Sequence, residues 1–518
     1  MKTLRSYVNG QWHEPVEGFV ELLNPANEDS LGRISSHGVD FAEAVRHARR
    51  EGGPGLRAMS FVERGALLKG MSKILRQHRD ELLDLSRLNN GTTTPDGSFD
   101  IDGASGTLAY YAAISKGLSE SQQLVDGSRI QLSKDGGFWG HHLWVPRRGV
   151  AVHINAFNFP AWGFAEKAAC ALLAGIPVIT KPASATALVT QRCIELIVEA
   201  DFLPPGSLQL ICGSTGDLLD HLGPQDVLAF TGSAATGVTL RQQSQLQAVN
   251  ARFNVEADSL NAAVLGPDVQ PDSTTLKLFL REVGREVTQK AGQKCTAVRR
   301  ILVPRESMAV VQEALIAKLE RVVTGDPGVE GVTMGPLATR QQLGEVIDGV
   351  AELAGQAQII LGSGQRADGV GSPSGMGFYL QPTLLLAEDA TAAEIVHRRE
   401  VFGPVATLLP YDGGATQAAD LMAMAGGTLV TSVYSDDSAW IGELLDRGGS
   451  STGRLYVGSE ESAAEAPGSG VALPQSLHGG PGRAGGGEEL GGLIGVQLYL
   501  QRLAIQGGPS LIDSLESG

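Results

Sequence analysis

The chain has little of what marks several protein classes. Only four of its 518 residues are cysteine: Cys170, Cys193, Cys212 and Cys295. Their spacing contains no CxxC pair and no zinc pattern, so neither a disulfide framework nor a metal site is expected. Basic residues are outnumbered: 41 Lys and Arg against 57 Asp and Glu give a formal net charge of -16. A generic basic surface for nucleic acid is therefore not expected. No apolar run approaches the ~18 residues of a membrane span. The longest candidate, 168–180, is interrupted by Gly175 and Pro177. The opening MKTLRSYVNGQWHEP lacks the apolar segment of a signal peptide. Neither secretion nor membrane insertion is expected, and a reducing cytoplasm is the simplest compartment. No repeat of fixed period is visible.

What is present is an ordinary globular composition, 42% hydrophobic and 19% charged. One core rarely grows this large, so two or three domains are expected. Residues 61–90 carry apolar positions at helical spacing. From Gly149 onward short apolar runs alternate with helical stretches. Strands near 150–154, 176–180, 208–211 and 227–230, with helices between them, predict a doubly wound parallel sheet. Such sheets bind ligands beyond the carboxyl ends of their strands. A second α/β stretch follows Glu256, with strands expected at 300–303, 358–361, 405–410 and 428–433. Residues 362–377 are rich in Gly and Ser and read as a surface loop. Residues 478–492, HGGPGRAGGGEELGG, are dense in glycine. VQLYLQRLAI (496–505) then reads as a closing strand. It and segment 126–148 alternate apolar residues with no evident partner within the chain, so both are expected at an oligomer interface.

Five positions could carry chemistry. Cys295 in QKAGQKCTAV offers a thiol, which attacks well once its pKa is lowered. Lys290 and Lys294 lie close enough in sequence to lower it. A lone cysteine is more often a small buried hydrophobe, and that reading is kept for the other three. Asn158 in NAFNFPAW follows a predicted strand, where its amide could stabilise an oxyanion, although such an Asn is usually a turn residue. Glu256 in FNVEADSLN could act as general base on water, although an isolated glutamate is usually solvated or ion-paired. FTGSAATG, with Gly232 and Gly237, joins a strand to a helix start that suits pyrophosphate, although a lone glycine turn is weak evidence. Lys181 in VITKPAS ends a strand and could meet ribose hydroxyls or a phosphate, although a lone lysine there is normally just exposed.

Taken in order, these segments resemble the aldehyde dehydrogenase family along nearly the whole chain. The matching stretches are SYVNGQW (6–12), FNFP (157–160), KPAS (181–184), FTGS (230–233), Glu256, GQKC (292–295), GFYLQPTLL (377–385) and EVFGPV (400–405). The resemblance implies an α/β fold: a doubly wound cofactor domain (1–125 and 149–257), an α/β catalytic domain (258–457), small oligomerisation segments (126–148 and 488–506) and a tail (507–518). It implies Cys295 as nucleophile, Asn158 with the Cys295 amide as oxyanion hole, and Glu256 as the base for hydrolysis. Lys181 and Ser184 would bind the adenosine ribose. Thr231, Gly232, Ser233 and Gly237 would form the pyrophosphate turn. Glu400 would hold the nicotinamide ribose and Phe402 would pack beside the ring. A homodimer or homotetramer is implied.

The chain also departs from the usual pattern. Ser184 stands where an acidic residue normally rejects the 2′-phosphate, so NADP is expected to be preferred, with NAD possible. EADSLN replaces Glu-Leu-Gly-Gly-Lys around the base. The C-terminal block resembles the subgroup acting on CoA-linked semialdehydes from aerobic aromatic-ring cleavage. A chain ending at 518 fits the stand-alone form of that subgroup better than its fused form. Glu489 matches a C-terminal acid of the family and is a second candidate for proton transfer, or else a charge at a helix start. Alternative readings are an acylating enzyme, which would not need Glu256, and a non-catalytic relative, expected to lack Cys295. A thioesterase-like hydrolase would have no need of FTGS, Lys181 and Glu400.

Overall fold

The computed structural model describes residues 2–118 and 122–516. Met1, residues 119–121 and residues 517–518, the end of the expected tail, lie outside the described residues.

The first large sheet has seven strands. Five are parallel, in spatial order Arg252–Glu256, Val227–Thr231, Ala151–Ile154, Val178–Lys181 and Leu208–Leu210. Ser6–Val8 and Gln11–His13 complete the edge as antiparallel strands. The parallel strands are apolar throughout because both faces are covered. Val178 faces one core, built against helices Trp162–Leu173 and Ala187–Glu199. Its neighbour Ile179 faces another, with Val152, Leu228 and Phe230. This period of two makes each strand a continuous hydrophobic run. Each fully buried Leu, Val or Phe contributes about 1.5–3 kcal/mol by leaving water. The chain runs outward from Ala151–Ile154 to Leu208–Leu210, then returns to place Val227–Thr231 on its other side. That reversal opens a crevice at the carboxyl ends of Ala151–Ile154 and Val227–Thr231.

The second seven-stranded sheet runs Gln358–Leu361, Thr383–Leu386, Val405–Tyr411, Arg300–Pro304, Ala262–Leu265, Thr431–Tyr434 and Leu455–Gly458. Only the first pairing is antiparallel. The stretch 362–377 is largely exposed, but Arg366–Ala367 pairs with Tyr379–Leu380. The helical stretch 61–90 divides into Phe61–Gln77 and Arg79–Asn90, with His78 outside helical geometry between them.

The C-terminal expectation needs correction. Residues Leu493–Gln497 form a short helix, and the strand begins later, at Leu500–Gly507. That strand has a partner in the same chain. It pairs with Trp139–Pro146, which pairs with Leu124–Gln131, giving a separate three-stranded sheet. Two segments far apart in sequence satisfy each other's backbone, which alternation within either one could not reveal. A helix, Pro509–Glu516, follows within the region expected to be a tail. Among the described residues no helix is long and apolar enough to cross a membrane.

Candidate active site

Glu256 is the last residue of its strand and lies beside Thr231 on the neighbouring one. Thr231 Oγ1 donates to Glu256 Oε2 at 3.2 Å, and Gly232 N donates to the Glu256 carbonyl at 3.1 Å. Asn158 sits on the loop after Ala151–Ile154. That loop is pinned: Thr186 Oγ1 and Asn90 Nδ2 donate to the Phe157 carbonyl at 2.8 and 3.0 Å. Asp100 accepts from Trp162 N at 2.7 Å and so caps the next helix. Asn158 Nδ2 donates to the Gln293 carbonyl at 3.0 Å, which ties it to the cysteine loop. One amide proton of Asn158 remains for another acceptor.

Helix Thr274–Thr288 leads into the cysteine loop through a tight reversal. Lys290 and Ala291 have φ of 55° and 51°, a left-handed conformation costly for side-chain-bearing residues. Gly292 follows at φ 69°, and a Cβ there would lie 2.1 Å from the Gly403 carbonyl oxygen. Arg299 holds this turn by donating to the carbonyls of Gly292 and Gly403, both at 2.8 Å. Asn261 donates to the carbonyls of Cys295 and Ala297 at 2.7 and 3.0 Å. The unusual EADSLN segment thus supplies the anchor of the cysteine.

The structure brings Cys295, Glu256 and Asn158 to one small chamber, lined also by Phe99, Phe159 and Trp162. Of the two lysines the sequence offered, Lys294 does act to lower the Cys295 thiol, but burial and Glu256 outweigh it. Lys294 is fully buried in an ion pair with Glu286 at 2.6 Å, so its charge is largely compensated. Lys290 Nζ lies 4.3 Å from the centre of the Phe159 ring, and burial lowers its pKa. Burial pushes the Cys295 thiol well above its usual value, and Glu256 pushes it further. The other three cysteines are buried free thiols, as expected; burial drives Cys170 up to about 12.

Sequence reasoning missed His478. Its Nε2 lies 3.0 Å from Glu256 Oε1 and 3.7 Å from Cys295 Sγ. Burial alone would raise the Glu256 carboxyl, but the facing His478 and nearby Lys167 hold it below the usual carboxylate range. The same contact raises His478 against its own burial. His478 reaches the site on a hairpin, Leu477–Gly479 paired with Glu488–Leu490, in which Glu489 stands opposite it. Glu489 is therefore on a strand and not at a helix start. The glycines explain the approach: a Cβ on Gly485 would lie 2.2 Å from the Val255 carbonyl oxygen. The signal was in the sequence, a histidine and an acid bracketing a run of glycines.

Behind Glu256 lies a second buried group. Lys167 Nζ sits 2.9 Å from Glu166 Oε1 and 3.1 Å from Glu489 Oε2. Oxygens of Glu166, Glu256 and Glu489 all fall within 4.8 Å of one another. Burial raises Glu166 to about 7, although Lys167 opposes it.

A cleft of about 370 Å³ adjoins the chamber and shares Asn158, Thr231, Glu256 and Cys295 with it. Gly232, Ser233, Asp258, Glu400 and Phe402 complete that wall. Glu400 Oε1 is buried with no hydrogen-bond partner among the described residues, an acceptor suited to a ribose hydroxyl. Phe402 meets Phe157 edge to face at 5.8 Å and forms an aromatic wall. Ser233 caps helix Ala234–Arg241 by accepting from Thr236 N at 3.2 Å. The first helical amide, Ala234 N, already donates to Asp258 at 2.8 Å. Gly237 instead faces the sheet, where a Cβ would press on Val255 Cγ1 at 3.3 Å. Lys181 Nζ turns back to the Pro182 carbonyl at 3.1 Å, and Ser184 Oγ donates to the Gly213 carbonyl at 3.2 Å. The residues fit a nicotinamide dinucleotide: a buried carboxylate oxygen that faces Arg299 Nε at 3.7 Å but accepts no hydrogen bond among the described residues, an aromatic wall and a helix start on one crevice.

Residues 12–494 match the model of the aldehyde dehydrogenase family. The chain is 43% identical over 479 residues to 3,4-dehydroadipyl-CoA semialdehyde dehydrogenase of Aromatoleum evansii, covering 92% of this chain and 93% of that one. It is 27% identical over 461 residues to the NADP⁺ succinate-semialdehyde dehydrogenase of Escherichia coli K12, covering 86% and 88%. Betaine aldehyde dehydrogenase of Staphylococcus aureus in complex with NAD⁺ shares the fold. Its TM-score is 0.84 at 23% identity, over 98% of this chain and 97% of that one. The chain belongs to the aldehyde dehydrogenase family and is an NAD(P)-dependent oxidoreductase that converts an aldehyde to an acid.

Proposed function

We propose that the protein oxidises 3,4-dehydroadipyl-CoA semialdehyde, or a closely similar CoA-linked semialdehyde, through a thioester on Cys295 that water then hydrolyses. The observation that carries this reading is the convergence of Cys295, Glu256 and Asn158 where the chamber meets the cleft. Cys295 sulfur attacks the aldehyde carbon, and its proton passes to Glu256. The Asn158 amide and the Cys295 backbone N–H take the oxyanion; each such donor is typically worth about 3 kcal/mol. NAD(P), when bound, supplies the hydride acceptor. Glu400 would hold its ribose, Phe402 its ring face, Thr231, Gly232 and Ser233 its phosphates, and Lys181 and Ser184 its adenosine end. Loss of hydride leaves an acyl thioester on Cys295. Glu256 then takes a proton from water as the water attacks that thioester, and Cys295 leaves as thiolate. Glu166, Lys167 and Glu489 stand behind Glu256 to carry its proton onward. A buried base of this kind favours hydrolysis over release to CoA.

The shape of the entrance supports a slim reacting end on a bulky carrier. The inner chamber holds only about 50 Å³. Past Phe99, Trp162 and Ala472 it opens into a groove of about 520 Å³ along Ser98, Asp102, Thr107 and Gln475. The relative with 43% identity is named for a CoA-linked semialdehyde. The lack of an acid at Ser184 favours NADP over NAD, and Lys181 is near in sequence to meet the extra phosphate. We assign the two large sheets to the cofactor and catalytic domains with the boundaries expected from sequence. We assign the three-stranded sheet to a homodimer or homotetramer contact, and a cytoplasmic location.

The test is a stoichiometric one. With Glu256→Gln, one reduced cofactor per site should form rapidly and turnover then stop, with the acyl adduct on Cys295 visible by intact-protein mass spectrometry. Cys295→Ala should give neither burst nor adduct. The CoA-linked semialdehyde should exceed free succinic semialdehyde in kcat/KM without added CoA. Full steady turnover by folded Cys295→Ala would end the thioester reading.

A further inference from the structure

Three side chains at the chamber come from three separate elements: Cys295 from the loop after helix Thr274–Thr288, His478 from the C-terminal hairpin, Glu256 from a strand end. Their ligand atoms, one thiol, one imidazole nitrogen and one carboxylate oxygen, lie within 4.8 Å of one another. Sγ to Nε2 is 3.7 Å and Nε2 to Oε1 is 3.0 Å. Tetrahedral zinc binds sulfur at ~2.3 Å and nitrogen or oxygen at ~2.0–2.2 Å, which sets S···N near ~3.6 Å and N···O near ~3.3 Å. For these two pairs a shift of only a few tenths of an ångström brings the side chains to zinc-binding separations.

We propose that Cys295, His478 and Glu256 form a three-ligand site for zinc that reversibly blocks the nucleophile. The ligand set of one sulfur, one nitrogen and one oxygen suits zinc and not magnesium or calcium, which want oxygen alone. Two further features prepare it. Thr231 Oγ1 donates to the second oxygen of Glu256 at 3.2 Å and fixes the carboxylate plane. The fourth zinc position faces the aromatic chamber, where a water completes the tetrahedron. Binding replaces the S–H bond by S–Zn and releases that proton to solvent, and a second if His478 is charged. Affinity therefore rises with pH. The spacing of these residues in sequence could not show the site, because none of the three is near another in the chain.

The consequence for activity rests on the Cys295 reading; the binding itself does not, and the two are measured separately. Metal-free enzyme is titrated with zinc against a chromophoric chelator, with no substrate present. One zinc per chain is expected, with Cys295→Ser, His478→Gln and Glu256→Gln each weakening it on the order of 100-fold. Wild type loaded with Co²⁺ tests the geometry without any substitution. Intense tetrahedral bands and a thiolate charge-transfer band are expected. Zinc should also suppress the hydride burst of wild type, and EDTA should restore it. No stoichiometric zinc, weak octahedral cobalt bands, or unchanged zinc affinity in both His478→Gln and Glu256→Gln would overturn the proposal. A metal-free enzyme without a burst would instead count against the thioester reading and leave the binding result standing.

Discussion

Cys295 rests in surroundings that oppose its ionisation. Burial and the facing Glu256 both push its thiol up. In the proposed mechanism deprotonation is therefore coupled to attack, with Glu256 receiving the proton, and Glu256 would have to be emptied before acting on water. Glu166, raised to about 7 by burial, changes charge in the working range; Glu400 in the adjoining cleft is raised to about 7 by its own burial, and Glu256 raises His478 against burial. Above that pH Glu166 is ionised and accepts a proton; below it is already protonated. Turnover limited by deacylation should fall as pH drops below about 7, approaching tenfold per unit. Glu166→Gln should lower kcat and remove that limb between pH 5.5 and 8; an unchanged limb would assign it to another group. Under the proposed cofactor preference, Ser184 acts through what it does not carry. A carboxylate there would face the 2′-phosphate of NADP as a like charge in a partly desolvated pocket. Ser184→Glu should reduce kcat/KM for NADP at least roughly tenfold more than for NAD. Its hydroxyl donates to Gly213, so phosphate binding has to draw on its oxygen's neighbours or on rotation of that hydroxyl. Wild type preferring NAD tenfold would remove position 184 from cofactor choice.

The elements deliver these residues by packing and hydrogen bonds that short motifs do not describe. Asn261 shows how. Its amide holds the carbonyls of Cys295 and Ala297, and its oxygen accepts from Ser259 Oγ and Val430 N at 2.6 and 3.0 Å. Asn261→Ala leaves buried partners without a bond, at about 1–3 kcal/mol for each group. We expect a lower denaturant midpoint at unchanged slope, and a fall in kcat larger than the rise in KM, because the nucleophile shifts while the entrance does not. Equal activity at reduced stability would make Asn261 a purely structural anchor. The C-terminal hairpin is the second case. Its glycines read as an oddity of composition, yet a Cβ at Gly480 would lie 2.2 Å from the Thr428 carbonyl oxygen. Only a chain without side chains there can lie close enough to present His478 and Glu489 to Glu256.

At the scale of the molecule, the three-stranded sheet ends in two edges, Leu124–Gln131 and Leu500–Gly507. Both edge strands are largely exposed, and Val125, Ile130 and Leu503 are each close to half exposed. Open edges with apolar side chains invite pairing with another copy. Light scattering at micromolar concentration should give a dimer or tetramer, and Val125→Asp with Leu503→Asp should shift it toward monomer. A monomeric wild type would leave these edges without the proposed role.

Much of this protein was legible in one dimension. The alternating apolar runs after Gly149 placed the parallel strands, because a strand buried on both faces must be apolar throughout. The ordered segments from FNFP to EVFGPV marked Asn158, Glu256, Cys295 and Glu400, since Glu256 ends a strand and the other three sit in short loops between elements, where a local motif can fix the conformation. Tertiary structure alone decided the rest. It paired Leu500–Gly507 with Trp139–Pro146, turned Lys294 onto Glu286, and brought His478 onto Glu256 and Cys295. These depend on contacts between distant segments, and such contacts are set by how the sheets pack and not by the spacing of residues along the chain.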